Sequence, residues 1–142
     1  MEEVRKTMEQ VRDWCMNNRY AINSRGYDRD LCGMCCIASA RLFESLQSLG
    51  YSPVLAISEG KYGSAHCFIV LDDLVLDITA TQFNAEAISI VHEKLAEQHW
   101  WWIATKLFYS VDALVKYQRR VGFPKHQLAT HDAIRYNVNT FN

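Results

Sequence analysis

The chain has no excess of either charge, no long apolar run, no internal repeat and no low-complexity tract. Its 15 basic residues against 16 acidic ones leave a net charge of −1. The basic footprint of an electrostatic nucleic-acid binder is therefore missing. Lys116, Arg119 and Arg120 are the local candidates, and they read more simply as a solvated helix face. The longest apolar run, Trp100 to Ala104, is far too short to span a bilayer. Residues 1–19 are charged throughout and lack the apolar core of a signal peptide. Neither a nucleic-acid nor a membrane partner is expected. The five cysteines are an odd number. Without a secretion signal they point to a reducing, cytoplasmic compartment rather than a disulfide framework. A chain delivered by a dedicated secretion machine would look the same.

What remains is an ordinary globular composition, 49% hydrophobic and 22% charged, in one domain over residues 1–142 with chain enough for a real core. Met1, Val4, Met8, Val11 and Cys15 recur every three or four residues, which predicts an amphipathic helix over 2–19. A polar loop follows, Asn23 to Asp30. Cys35 to Leu49 reads as the next helix, striped by Cys35, Ser39, Leu42, Leu46 and Leu49 and stopped by Gly50. Three strands come next: PVLAIS, HCFIVL and LVLDIT, the last two joined by Asp72-Asp73. Residues 85–98 are expected to be helical. SVDALVKYQRRVG is a well-marked helix, with Ser110 as N-cap and Gly122 just past its end. The tail from His126 carries no clear signal. Helices segregated from an antiparallel sheet make the fold class α+β.

Cys32, Cys35 and Cys36 fall within five residues, just ahead of a helix. A thiol at a helix N-terminus meets unpaired N–H groups and the positive end of the helix dipole, and both favour the thiolate. Gly33 lets the backbone turn sharply before it. The same N–H groups can donate to an oxyanion. Cys35 or Cys36 fits that position, and Cys32 lies a turn too early. The plainer alternative is that these cysteines are small buried hydrophobes.

A cysteine nucleophile needs a histidine base, and the base needs an orienting group. His66 opens one predicted strand and Asp77 lies in the next. A two-residue turn at Asp72-Asp73 sets Leu71 opposite Leu74 and His66 opposite Thr79. Asp77 becomes the diagonal neighbour of His66 on the same face, at a Cβ separation of roughly 7–8 Å or somewhat less. A slip of one residue would put the two on opposite faces. That face also carries Phe68, Val70 and Val75, so it is expected to be the buried side turned toward the helix. The plainer alternatives are a satisfied core histidine at His66 and a strand-end cap from Asp77 onto Thr79.

GMCCIAS, Gly33 to Ser39, resembles the nucleophile motif of papain-like and transglutaminase-like enzymes, Gly-x-Cys-(aromatic) at a helix start followed by small residues. That match selects Cys35, with Cys36 in the usual Trp position. AHCFIVLDDLVLDITATQF resembles the second half of the same superfamily, a His opening one strand and an Asp in the next. Asp77, Thr79, Ala80, Gln82 and Phe83 match its Asp-Pro-Thr-Ala and following Gln-Phe, with Ile78 in place of Pro. The resemblance covers residues 30–84. It implies a papain-like core, with a Cys-bearing helix packed on a small antiparallel sheet, and acyl transfer through a thioester. Cys35 would attack an amide carbonyl. His66 would hold its proton and pass it to the departing amine, and Asp77 would fix the tautomer. No metal or cofactor is implied. The expected partner is a protein or peptide bearing a glutamine or a scissile amide, which makes the protein a glutamine deamidase or a specific peptidase. The glutamine that papain carries six residues before its cysteine is replaced by Arg29; Asn23 or the Cys35 backbone is left to serve the oxyanion.

Three other readings compete. Cys32 and Cys35 form a C-x2-C knuckle that His66 and Cys67 would complete for zinc, although adjacent strand residues point to opposite faces. A C-x2-C redox site lacks its βαβ context. A non-enzymatic binding module, or an inactive member of the fold, would use HWWWIATKLFY, in which three successive Trp cannot all face inward. Among the other histidines, His92 and His99 are seven apart and would share one solvated face of the predicted helix. His126 and His131 are weaker base candidates than His66.

Overall fold

A computed structural model describes residues 1–22 and 31–136. Helix α1 (Glu2–Ile22) buries Val4, Thr7, Met8, Val11, Cys15 and Asn18 on one stripe. It runs three residues further than the sequence predicts. Helix α2 (Cys35–Ser48) packs against α1 and against strands β1 (Val54–Glu59) and β2 (Ala65–Leu71). Strands β3 (Leu74–Asp77), β4 (Ser89–His92) and β5 (Lys106–Phe108) complete a five-stranded antiparallel sheet in the order β4-β3-β2-β1-β5. The remaining helices are the short α3 (Glu93–Ala96), α4 (Val111–Val121) and the short α5 (His131–Ile134). The chain is thus α+β, with the helices α1, α2, α4 and α5 gathered over one face of the sheet.

The hairpin β2–β3 has the expected register, with Leu71 opposite Leu74 and Ile69 opposite Leu76. Helix α4 has the expected ends: Ser110 Oγ accepts the Ala113 N–H, and Gly122 adopts the left-handed conformation beyond the last turn. Two expectations fail. Residues 85–98 are not one helix, because Ser89–His92 is a strand paired to β3 and only Glu93–Ala96 is helical. Ile88 and Ile90 face one core and Val91 the other, a period of two that suits a strand buried on both sides. His92 and His99 consequently share no helix. His92 Nδ1 accepts the Lys94 N–H, and the His99 ring stacks on Trp101.

The second correction concerns the sheet faces. Leu55, Ile57, Cys67, Ile69, Leu71, Leu76 and Ile78 face the helices. Phe68 and Val75, expected there, lie on the opposite face with Ala56, Ala80, Ala96 and Trp102. Both faces of β2 are apolar, so alternation separates the two sets without ranking them. The larger aliphatic set takes the helices. The smaller one is covered by the Trp-rich segment. Among the described residues no helix is long and apolar enough to cross a membrane.

Candidate active site

The first turn of α2 opens with Cys35 directly after a sharp turn. Gly33 turns the chain at φ 84° directly ahead of it. Met34 occupies the N-cap position without a side-chain hydrogen bond. The leading N–H groups of the helix are therefore not consumed by a cap among the described residues. Cys35 is the first helical residue and is partly exposed, whereas Cys36 is buried against the helical core. None of the five cysteines is in a disulfide.

The β2–β3 ladder ends at Ile69 and Leu76. Below that point helix α2 takes over the strand's polar groups. Ser39 Oγ donates to the Cys67 carbonyl at 3.1 Å, and the Cys67 N–H donates to the Cys35 sulfur. The start of α2 is thereby fixed where β2 and β3 separate. This explains how a thiol on the helix reaches a histidine whose strand neighbours face away from the helices. The Cys35 thiol is in hydrogen-bond contact with His66.

His66 is 1% exposed. Its Nε2–H donates to Asp77 Oδ2 at 2.6 Å, the diagonal pairing that the hairpin register dictates. Because Nε2 is engaged, Nδ1 is the nitrogen left for the thiol. Asp77, also 1% exposed, accepts three further hydrogen bonds. The Thr79 N–H reaches Oδ1 at 2.9 Å and the Thr79 hydroxyl reaches it at 3.3 Å. Trp102 Nε1–H reaches Oδ2 at 2.8 Å. Asp77 thus acts as the strand-end cap and as the partner of His66 at once, and its buried charge is met on every side.

The protonation states follow from these contacts. The Cys36 thiol, donating to Cys35, contributes most to holding the Cys35 thiol well below its ordinary value. Burial opposes this, and the bond and charge of His66 together with the Cys67 N–H reinforce it. Burial alone would drive His66 down. The Asp77 charge and hydrogen bond outweigh it, Cys35 adds to them, and the imidazole is raised to about 10. For Asp77, burial pushes up, but the His66 charge and bond, the Thr79 N–H and the Trp102 N–H hold the carboxyl low. Cys36 goes the other way, raised by its bonds to Cys35 and Cys67 and by burial. A thiolate–imidazolium–carboxylate chain is the arrangement these directions describe.

Aromatic side chains form the rest of the wall. The Phe83 ring stands edge-on to His66 at 4.9 Å and stacks on Trp101 at 4.7 Å. Gly60 allows Trp100 to close in, since a Cβ there would lie 2.9 Å from the indole. The three successive Trp are graded: Trp102 is buried, Trp101 is half-buried and Trp100 is 37% exposed. Cavities of about 400 and 630 Å³ flank the β1–β2 connection that leads into His66. Among the described residues no group of three or more His, Cys, Asp or Glu side chains is placed to hold a metal ion, and Cys32, Cys35, His66 and Cys67 are not gathered into one.

The sequence-predicted residues Cys35, His66 and Asp77 are therefore brought together. Asn23, considered for the oxyanion, and Arg29, which stands where papain carries its glutamine, lie outside the described residues. Sequence reasoning missed the part played by Trp102, because no local pattern tells which of three Trp turns inward. Gln82 was matched to a motif without a role. It lies 3.4 Å from His66 Nδ1 through its amide nitrogen. No family model, no curated protein and no solved structure matches the chain.

Proposed function

We propose that this protein is a thiol-dependent amide hydrolase with a papain-like or transglutaminase-like core, in which Cys35, His66 and Asp77 form the triad. One observation carries the reading: a partly exposed thiol at a helix N-terminus touches a histidine whose far nitrogen donates to a buried carboxylate at 2.6 Å. A packing histidine has no use for that chain of three, and an inert thiol has no use for a helix start left without a cap. Cys35 is preferred to Cys36 as nucleophile, because Cys36 faces the core and Cys67.

In the proposed reaction the Cys35 thiolate attacks an amide carbon. His66 Nδ1–H then protonates the departing nitrogen as the thioester forms. Water attacks the thioester, giving a proton to His66; the C–S bond breaks with its pair going to sulfur, which releases the acid and restores the Cys35 thiolate beside protonated His66. Asp77 holds the imidazole with Nε2 turned away, so that Nδ1 always meets the sulfur. This chemistry requires no metal or cofactor. His66 is closed off and only Cys35 is partly open. A slender glutamine side chain suits such an entrance better than a long stretch of main chain, so deamidation is the favoured form. Incubation with glutamine-bearing proteins, followed by intact mass, tests this. The expected result is the small mass gain of amide turning to acid, absent with Cys35→Ala. Cys35-dependent fragments would replace deamidation by proteolysis, and a Cys35→Ala variant with the same activity would remove the reading.

A further inference from the structure

The turn after Asp77 serves both ends of the His66–Asp77 pair. Residues Ala80–Phe83 form a single 3-10 turn. Thr79, at its start, donates to the carboxylate. Gln82 folds back over the same turn, its amide N–H donating to the Thr79 carbonyl at 3.1 Å. The same amide nitrogen lies 3.4 Å from His66 Nδ1. We propose that Gln82 supplies a side-chain donor of the oxyanion hole, its amide held beside His66 Nδ1 and its second N–H donating to the substrate oxygen as charge develops there.

This rests on the thiol hydrolase reading above and adds a donor that Asn23 or the Cys35 backbone would otherwise have to provide. Nδ1 is the nitrogen facing the sulfur, because Nε2 is committed to Asp77. With the Cys35 proton on it, Nδ1 is a donor and cannot accept from the Gln82 amide. The second Gln82 N–H is therefore left beside the thiolate. When the thiolate attacks, a C–S bond forms and the carbonyl π pair moves onto oxygen. That oxygen is the new acceptor, shared with the N–H groups at the start of α2. Nδ1–H next protonates the leaving nitrogen. The C–N bond breaks with its pair going to nitrogen, and the oxygen pair re-forms the carbonyl of the thioester. The separation of 3.4 Å is long for a hydrogen bond, as suits an amide that the protonated Nδ1 does not accept from. The bond to Thr79 and the Phe83 ring packed on His66 keep the amide from swinging away.

Two reactions of Cys35 separate this role from simple support of His66. Alkylation by iodoacetamide is displacement at a saturated carbon and creates no oxyanion. Acylation by p-nitrophenyl acetate does create one. In Gln82→Ala, and in the similarly sized Gln82→Met, acylation is expected to slow on the order of 10²-fold or more. Alkylation at the same pH should keep its rate and its pH profile. Equal acylation in wild type and variants would overturn the proposal and leave the hydrolase reading standing. If alkylation fell in parallel with acylation, Gln82 would be a support for His66 and no oxyanion donor. A wild type alkylated selectively at Cys35 but never acylated would also overturn the oxyanion role. A wild type with neither reaction at Cys35 would remove the hydrolase reading itself.

Discussion

The two faces of one sheet are packed on different terms. Toward the helices the residues are aliphatic and closed: Leu55, Ile57, Ile69 and Leu76 against Ile37, Leu42, Phe43 and Leu46, each at most 2% exposed. Toward the other side a smaller apolar set surrounds a hydrogen-bonded carboxylate and imidazole under a roof of Trp and Phe that is partly open. The first face contributes stability in proportion to the area it hides. The second spends buried area on holding charges in place. The difference teaches that the site is a polar insertion in the minor core, reached from the major core only where β2 and β3 part.

Breaking either side should give different signatures. Phe43→Ala, on the helical side, is expected to cost about 3–5 kcal/mol in denaturant unfolding, while Cys35 in the folded fraction keeps its reactivity. Asp77→Ala, on the other side, removes the acceptor of His66, Thr79 and Trp102 and is expected to cost about 3–5 kcal/mol. Unlike the first change, it also takes away the early alkylation of Cys35. If Phe43→Ala altered thiol reactivity as strongly as Asp77→Ala, the two faces would not be separate in function.

Trp102→Phe is a smaller cut. It keeps an aromatic side chain, smaller than the indole, and deletes one donor to Asp77, so a loss of about 1–3 kcal/mol is expected in the same unfolding measurement. With less support for its charge, Asp77 should hold His66 less firmly, and the acid onset of Cys35 alkylation should move up. An unchanged profile would show that the Thr79 bonds suffice.

The pH dependence of stability is the subtlest consequence, and its sign follows from the two opposed shifts. His66 is raised from 6.5 to about 10, so its contribution is full below pH 6.5 and is lost as pH rises toward 10. Cys35 is lowered from 9.0, so its contribution is present above pH 9.0 and is lost as pH falls toward its folded value. Between 6.5 and 9.0 the two changes cancel, which predicts a plateau, with stability falling on either side. In Cys35→Ser the alkaline fall should begin near 6.5 instead. A wild type that lost stability steadily across that interval would contradict the paired charges.

Much of this was legible in the sequence where local rules are strong. Asp72-Asp73 fixed a hairpin register, and a register fixes which side chains meet. The His66–Asp77 bond at 2.6 Å follows from it. Gly33 and the small residues after Cys36 marked a helix start, and Ser110 and Gly122 marked both ends of α4. What escaped depends on long-range choices. The segment Ser89–His92 is a strand because β3 offers a free edge and two cores lie on either side of it, which no window of its own residues reveals. Strand β5, three residues long, owes its existence to β1. The face assignment failed because both faces of β2 are apolar, and the Trp102 bond escaped because it spans 25 residues.

The central claim is a thiolate–imidazolium pair at Cys35 and His66. The most direct measurement is iodoacetamide alkylation followed across pH by peptide mass, in wild type and in His66→Ala. Cys32, exposed on the surface, is followed in the same digest. The account predicts that Cys35 reacts first and already at about pH 6. It also predicts that His66→Ala brings Cys35 into line with Cys32. If Cys35 in the wild type reacts no faster than Cys32, or if His66→Ala leaves its advantage intact, the pair does not exist and the cysteine cluster is packing.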